Sequence, residues 1–262
     1  MSEERLDTRN AELAEAAARH ARRVKEQHVR RVKGKPGRTD IQTIVEGFRD
    51  GEPAVVMFAP PHRDLMLGLA ELMGRGFAAN TLALTFETFT TAGAEASQEN
   101  PDTGQSWGPD EMAEYFERHG AGGSVAEALM TSVYNRAGDV VVQVQPYMIE
   151  GNRVRWERPN ELGVPGVGGL VHDRLTAIME ETDTLTKAFK ALPDFAALDH
   201  DDALVHLDMG MLSVLPKLLS GIPDVEGRDV AVLLFATPGS KRHQLLRERL
   251  GRGSVVDPAQ WN

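Results

Sequence analysis

The chain has no cysteine among its 262 residues, and that single absence excludes disulfides, thiolate zinc sites and cysteine nucleophiles together. No run approaches the roughly 18 apolar residues of a membrane span, and the opening MSEERLDTRN lacks the apolar stretch of a signal peptide. The expectation is a cytoplasmic protein with no membrane partner. Also missing are GxxxxGK[ST], HExxH and the EF-hand loop pattern, so no triphosphatase, zincin or calcium signature is present and no cofactor is assigned.

Positive charge is scarce outside one segment. Residues 1–38 hold eleven Lys/Arg against six Asp/Glu, or +5, which leaves eighteen against thirty-three, or −15, for residues 39–262 and gives the net −10 of the whole. An acidic body repels nucleic acid at long range, whereas residues 19–38 (RHARRVKEQHVRRVKGKPGR) attract it. Arg22, Arg23, Lys25, Arg30, Arg31 and Lys33 are therefore the candidate contacts to nucleic acid or to an acidic partner, a second copy of the chain included. AELAEAAARHARRVKEQHVRRV is rich in helix formers and is stopped by Gly34, Pro36 and Gly37, so the segment reads as a helical arm with a linker.

The chain as a whole is 41% apolar, enough for residues 39–262 to form one domain without staples. Thr39–Gly51 reads as a short helix on the stripe Ile41, Ile44, Val45 and Phe48. Pro53–Gly93 then reads as strand, helix and strand. Ala54–Ala59 is continuously apolar, Leu65, Leu69, Leu72 and Met73 share a helical face, and Thr81–Thr91 alternates. Such a unit is normally a parallel crossover. It places Glu87 in mid-strand, where a buried carboxylate needs either an ion pair, with Arg153 and Arg155 as candidates, or a role as acid or base.

A polar loop from Gly93 to Gly108 carries Trp107, and Pro109 opens a helix toward His119-Gly120. Ser124 and Glu127 form a capping-box pattern, which predicts a helix over Ser124–Arg136. Val140–Val144 and Arg153–Arg158 read as a hairpin. The stretch NPDTGQSWGPDEM, followed by NRAGDVVVQVQPY, resembles uncharacterised proteins of actinobacterial phages and actinobacteria over roughly Asn80–Trp156. That resemblance implies a phage or actinobacterial origin, and for a phage-encoded protein a place in the host cytoplasm or the virion; it transfers no functional residue, because no reaction is assigned to those proteins.

Residues 159–169 are a Gly/Pro-rich internal linker, and helices are expected over Leu170–Glu181, Thr184–Ala191 and Asp199–Ser220. Within LDHDDALVHLD, Asp199, Asp202 and His206 fall on one helical face at a spacing that permits metal binding, although acids at a helix start also suit its dipole. Near the C-terminus VLLFATPGSKRHQLLRERLGRG matches the layout of VVMFAPPHRDLMLGLAELMGRG: an apolar strand, a proline turn, and a basic helix start. If both strands run parallel in one sheet, His62, Arg63, Ser240, Lys241, Arg242 and His243 converge at its carboxyl edge as an anion site.

The expected fold is α/β, a three-layer sandwich with a mixed sheet of about five strands and an N-terminal helical arm. Two functions follow from it. One is a binding or structural protein, phage-encoded and oligomeric, that uses the arm on nucleic acid or protein. The other is an enzyme for a small anionic substrate at the carboxyl edge, with Glu87 as acid or base.

Overall fold

The computed structural model describes residues 3–34, 41–49, 51–92, 124–158, 160–162, 170–191, 195, 197–223, 225–251 and 255–261. The expected loop around Trp107, the helix after Pro109 and most of the 159–169 linker lie outside these residues. Helix α1 (Glu3–Gly34) comes first, then strands β1 (Thr43–Arg49) and β2 (Glu52–Ala59). Helix α2 (Arg63–Glu71) runs on into a π-helical turn at Leu72–Gly76. Strands β3 (Thr81–Ala92), β4 (Ser124–Asn135), β5 (Val140–Glu150), β6 (Arg153–Trp156) and β7 (Asn160–Leu162) follow. The chain continues through α3 (Leu170–Lys190), α4 (His200–Leu219), β8 (Ala231–Phe235), α5 (Lys241–Leu250) and β9 (Val255–Val256).

The nine strands of the described residues form one mixed sheet rather than the expected sheet of about five. Eight lie along the path β6-β5-β4-β3-β1-β2-β8-β9, while β7 pairs with β5. Among the described residues only β8 and β9 pair in parallel. Strands β2 and β3 each run antiparallel to β1, so they are parallel to one another with β1 between them, and α2 is the expected crossover.

Two segments read as helices are strands. Of the stripe, Ile44, Val45 and Phe48 belong to β1 and Ile41 lies just before it; Val45 joins one core cluster and Ile44 and Phe48 join two others. A central strand buried on both sides has apolar residues at every spacing, so it satisfies a helical template by accident. In β4, twelve pairs with β3, from Thr81↔Asn135 to Ala92↔Ser124, override the local capping-box signal. Conversely, the two helices expected over 170–191 are one continuous helix, α3.

Alternate side chains on each strand enter different clusters. Val45, Val55, Met57, Leu82, Leu84 and Leu234 pack with α2, α3, α4 and α5 through Leu65, Leu69, Leu175, Ile178, Val205 and Leu246. Each fully buried aliphatic side chain of this kind contributes about 1.5–3 kcal/mol. Ile44, Val56, Phe58, Ala83 and Val133 point to the other side, where α1 lies. Helix α1 is no appended arm: Leu13, Ala16, Ala17, Ala21, Val24 and Val32 are buried at helical spacing, and it touches β3, β4, β5 and β6.

Gly47, in mid-β1, shows how tightly this packing is drawn. A Cβ there would lie 3.1 Å from both Ala79 Cβ and Val55 Cγ1. Gly47→Val is expected to lower the urea midpoint at unchanged slope, with a loss of about 1–3 kcal/mol.

Candidate functional site

The sheet direction separates the residues expected to converge as an anion site. β2 and β8 pair antiparallel, from Val55↔Leu234 to Phe58↔Ala231, so their proline turns open at opposite edges. His62 serves instead as N-cap of α2, its Nδ1 accepting from the Leu65 N–H at 3.3 Å. Arg63 opens the same helix. Ser240 caps α5 by accepting from the His243 N–H at 3.1 Å. Lys241 pairs with Asp199 and Asp202, and these two carboxylates raise its pKa. Arg242 turns inward to Asp208, with Nη2 at 2.8 Å, and burial lowers its pKa.

The proposed metal ligands are engaged elsewhere as well. Asp199 caps α4 by accepting from the Asp202 N–H at 3.0 Å, and both carboxylates hold Lys241. His206 is exposed and sits edge-on to Phe195 at 5.6 Å. Among the described residues no group of three His, Asp or Glu is placed to bind a metal. The acids at this helix start do what the macrodipole favours, and they add a counterion for Lys241.

The cations of α1 divide by face. Arg23 and Lys25 point inward, Arg23 to Glu46 at 2.5 Å and Lys25 to Gln145 and the face of Trp156. Arg31 is half-buried. Arg22, Arg30 and Lys33 remain exposed, and Arg30 is paired with Glu26 at 3.7 Å. The outward stripe is thus of mixed sign, with fewer free cations than the sequence suggested.

Glu87 does not take Arg153 or Arg155 as its partner: Arg155 lies 3.8 Å from Glu150. The Tyr147 hydroxyl donates to Glu87 at 2.6 Å and also reaches Glu127 on β4. Burial and the neighbouring Glu87 charge raise the Glu127 pKa, while burial and both carboxylates raise that of Tyr147. His28 packs edge-on to Tyr147 and Trp156 at 5.1 and 5.8 Å.

Two further features were not read from the sequence. The first is Glu46 of β1, fully buried, which lay in the segment read as a helix. His20 Nδ1 lies 2.8 Å from its Oε2, while Arg23 and the Trp261 indole N–H reach Oε1 at 2.5 and 3.2 Å. The available signal was a carboxylate inside the apolar run TIVEGF.

The second is a half-open cavity of about 490 Å³ between α1 and the turn edge of the sheet. Leu13, Glu15, Ala16 and Arg19 of α1 form one wall, and Gly51, Asn80, Thr81, Asn135 and Arg136 the other. The sheet-side wall is cross-braced. The Asn80 N–H donates to Phe48 O at 2.8 Å, and the Arg136 N–H to Asn80 O at 3.3 Å. Asn135 Oδ1 accepts from the Ala137 and Asp139 N–H groups, each at 2.9 Å. Of the three charged liners among the described residues, Arg19 and Arg136 are cations and Glu15, 3.7 Å from Arg19, is the anion. These liners come from segments far apart in the chain, so no local motif marks the cavity.

No family model matches the chain, and no curated protein or solved structure shows significant similarity to it. Among the described residues no helix is long and apolar enough to cross a membrane.

Burial, followed by the Arg31 charge, pushes the His28 pKa down to about 4 from its ordinary 6.5. The folded state holds a neutral ring, whereas the unfolded chain takes up a proton below about pH 6.5. This contribution is therefore complete above that pH and is lost as pH falls toward 4. His28→Leu is expected to remove on the order of 2 kcal/mol of pH-dependent stability between those limits, read from urea midpoints at pH 4.5 and 7.

Proposed function

We propose that the protein is a binding protein that takes a small, polar, anionic ligand in the cleft between α1 and the turn edge of the sheet. One observation carries the reading: in a molecule of net charge −10, this cavity of about 490 Å³ brings together, among the described residues, two guanidinium groups and a single carboxylate. Arginine presents a planar fork of donors that suits phosphate or carboxylate. The cross-braced turns keep the sheet-side wall rigid, which lowers the ordering cost of binding.

Contact with nucleic acid or a protein partner through residues 19–38 is a second use of the same helix. It ranks below the cleft because Arg23 and Lys25 are committed inward and Arg30 shares its face with Glu26. An enzymatic reading stands on the Tyr147 hydroxyl held between Glu87 and Glu127, an arrangement able to keep one carboxyl protonated as an acid or base. Under that reading Glu87→Gln abolishes turnover while anion affinity in the cleft stays unchanged. The resemblance to phage and actinobacterial proteins bears on origin and adds nothing to the choice of ligand.

Calorimetric titration at low salt with inorganic phosphate, citrate and a nucleoside monophosphate tests the cleft. At least one is expected to bind, and Arg19→Ala and Arg136→Ala are each expected to weaken it about ten- to a hundredfold, as for loss of a charged hydrogen bond of about 1.5–3 kcal/mol. Absence of binding by all three, or equal binding by both variants, overturns the reading.

A further inference from the structure

We infer that Glu46 is the positioning residue of the cleft: by locking α1 to the sheet it holds Arg19 in place, and Trp261 closes the lock. The inference rests on the anion-cleft reading, since Arg19 matters only if the cleft is used.

One wall of the cavity belongs entirely to α1, so the cavity exists only while α1 is docked. Along the turns that bear this wall, the buried apolar side chains are mostly alanines, at positions 16, 17 and 21. A methyl group contributes only about 0.8 kcal/mol, so apolar burial there fixes α1 weakly. The strong directional contacts are polar, and they gather on one carboxylate. His20, the residue after Arg19, and Arg23, one turn further on, reach the two oxygens of Glu46 at 2.8 and 2.5 Å. Lifting this turn of α1 would strip a fully buried carboxylate of its imidazole and guanidinium partners, a change that costs several kcal/mol in comparable settings.

Trp261 joins the same node from the other end of the described chain. Its indole N–H donates to Glu46 Oε1 at 3.2 Å, its carbonyl accepts from Arg23 Nη1 at 2.9 Å, and the Arg23 guanidinium lies 5.4 Å from its ring centroid. The ring also packs on Phe58 and Phe235 of the sheet, at 6.3 and 5.1 Å. Trp261 thus ties Arg23 and Glu46 to β2 and β8 without itself lining the cleft. Docking of α1 and occupancy of the cleft are then linked reciprocally: whatever loosens the node weakens the ligand, and the ligand tightens the node.

The test uses inorganic phosphate as probe, with affinity read by calorimetry and amide hydrogen exchange followed over residues 13–24. Phosphate is expected to slow exchange in that segment of the wild type. Trp261→Ala and Glu46→Gln are each expected to weaken phosphate about three- to tenfold and to speed exchange in residues 13–24, leaving β3 and β4 protected. If Glu46→Gln does not fold, Trp261→Ala alone decides. In an Arg19→Ala background Trp261→Ala should cost no further affinity, because it acts through Arg19, whereas a general loss of stability would give additive effects. Additive losses, or wild-type affinity in a variant whose α1 exchanges faster, overturn the inference and leave the cleft standing. Failure of the wild type to bind phosphate, citrate or a nucleoside monophosphate overturns both.

Discussion

A carboxylate with no access to water sits in the middle of the sheet, and much of the architecture answers to it. Glu46 projects from β1 with no exposed surface, and its oxygens are met by an imidazole and a guanidinium from α1 and an indole N–H from the C-terminal segment. An isolated ion in such a place would be prohibitively costly. The N-terminal helix, the central strand and the last described residues must therefore assemble together. This converts a small apolar contact into a docking with one register, the use of buried charge that favours specificity over raw stability.

β1 carries a second polar node toward the opposite helices. Arg49, at its end, reaches Asp208 of α4 at 2.6 Å and the carbonyl of Phe77 at 2.6 Å, and Arg242 of α5 completes the set. Asp208 is fully buried, as Glu46 is. One strand thus fixes α1 on one side through its acid and α4 and α5 on the other through its base. The apolar clusters supply most of the burial, while these nodes choose which helix goes where. The cleft under α1 inherits its shape from the first node and its rigid floor from the turns at Asn80 and Asn135.

Local chemistry was legible wherever it was self-contained. The strand, helix and strand of Pro53–Gly93, the hairpin at Gly151 and the helices bearing Asp199 and Ser240 all follow from periodicity and punctuation that need no distant partner. β1 and β4 were misread because their patterns admit a helix, and only pairing with β3 excludes it. The anion site drawn from the two proline turns failed on strand direction. Both segments are a strand, a proline turn and a helix, but antiparallel pairing of β2 with β8 sends the two turns to opposite edges. Glu87 was marked as a carboxylate needing a partner; that the partner is Tyr147, sixty residues away, required the β4 and β5 ladders.

What the sequence determined by itself is the inventory: a cysteine-free chain with a basic N-terminal helix, an acidic remainder and strands too apolar to be exposed. Those properties are sums over residues or patterns within one turn or strand, so they survive without coordinates. Which face of α1 is buried, which carboxylate is enclosed and which arginines meet were decided only by the tertiary structure. Each depends on sheet order and strand direction, and these arise from pairings between distant segments that no local pattern encodes.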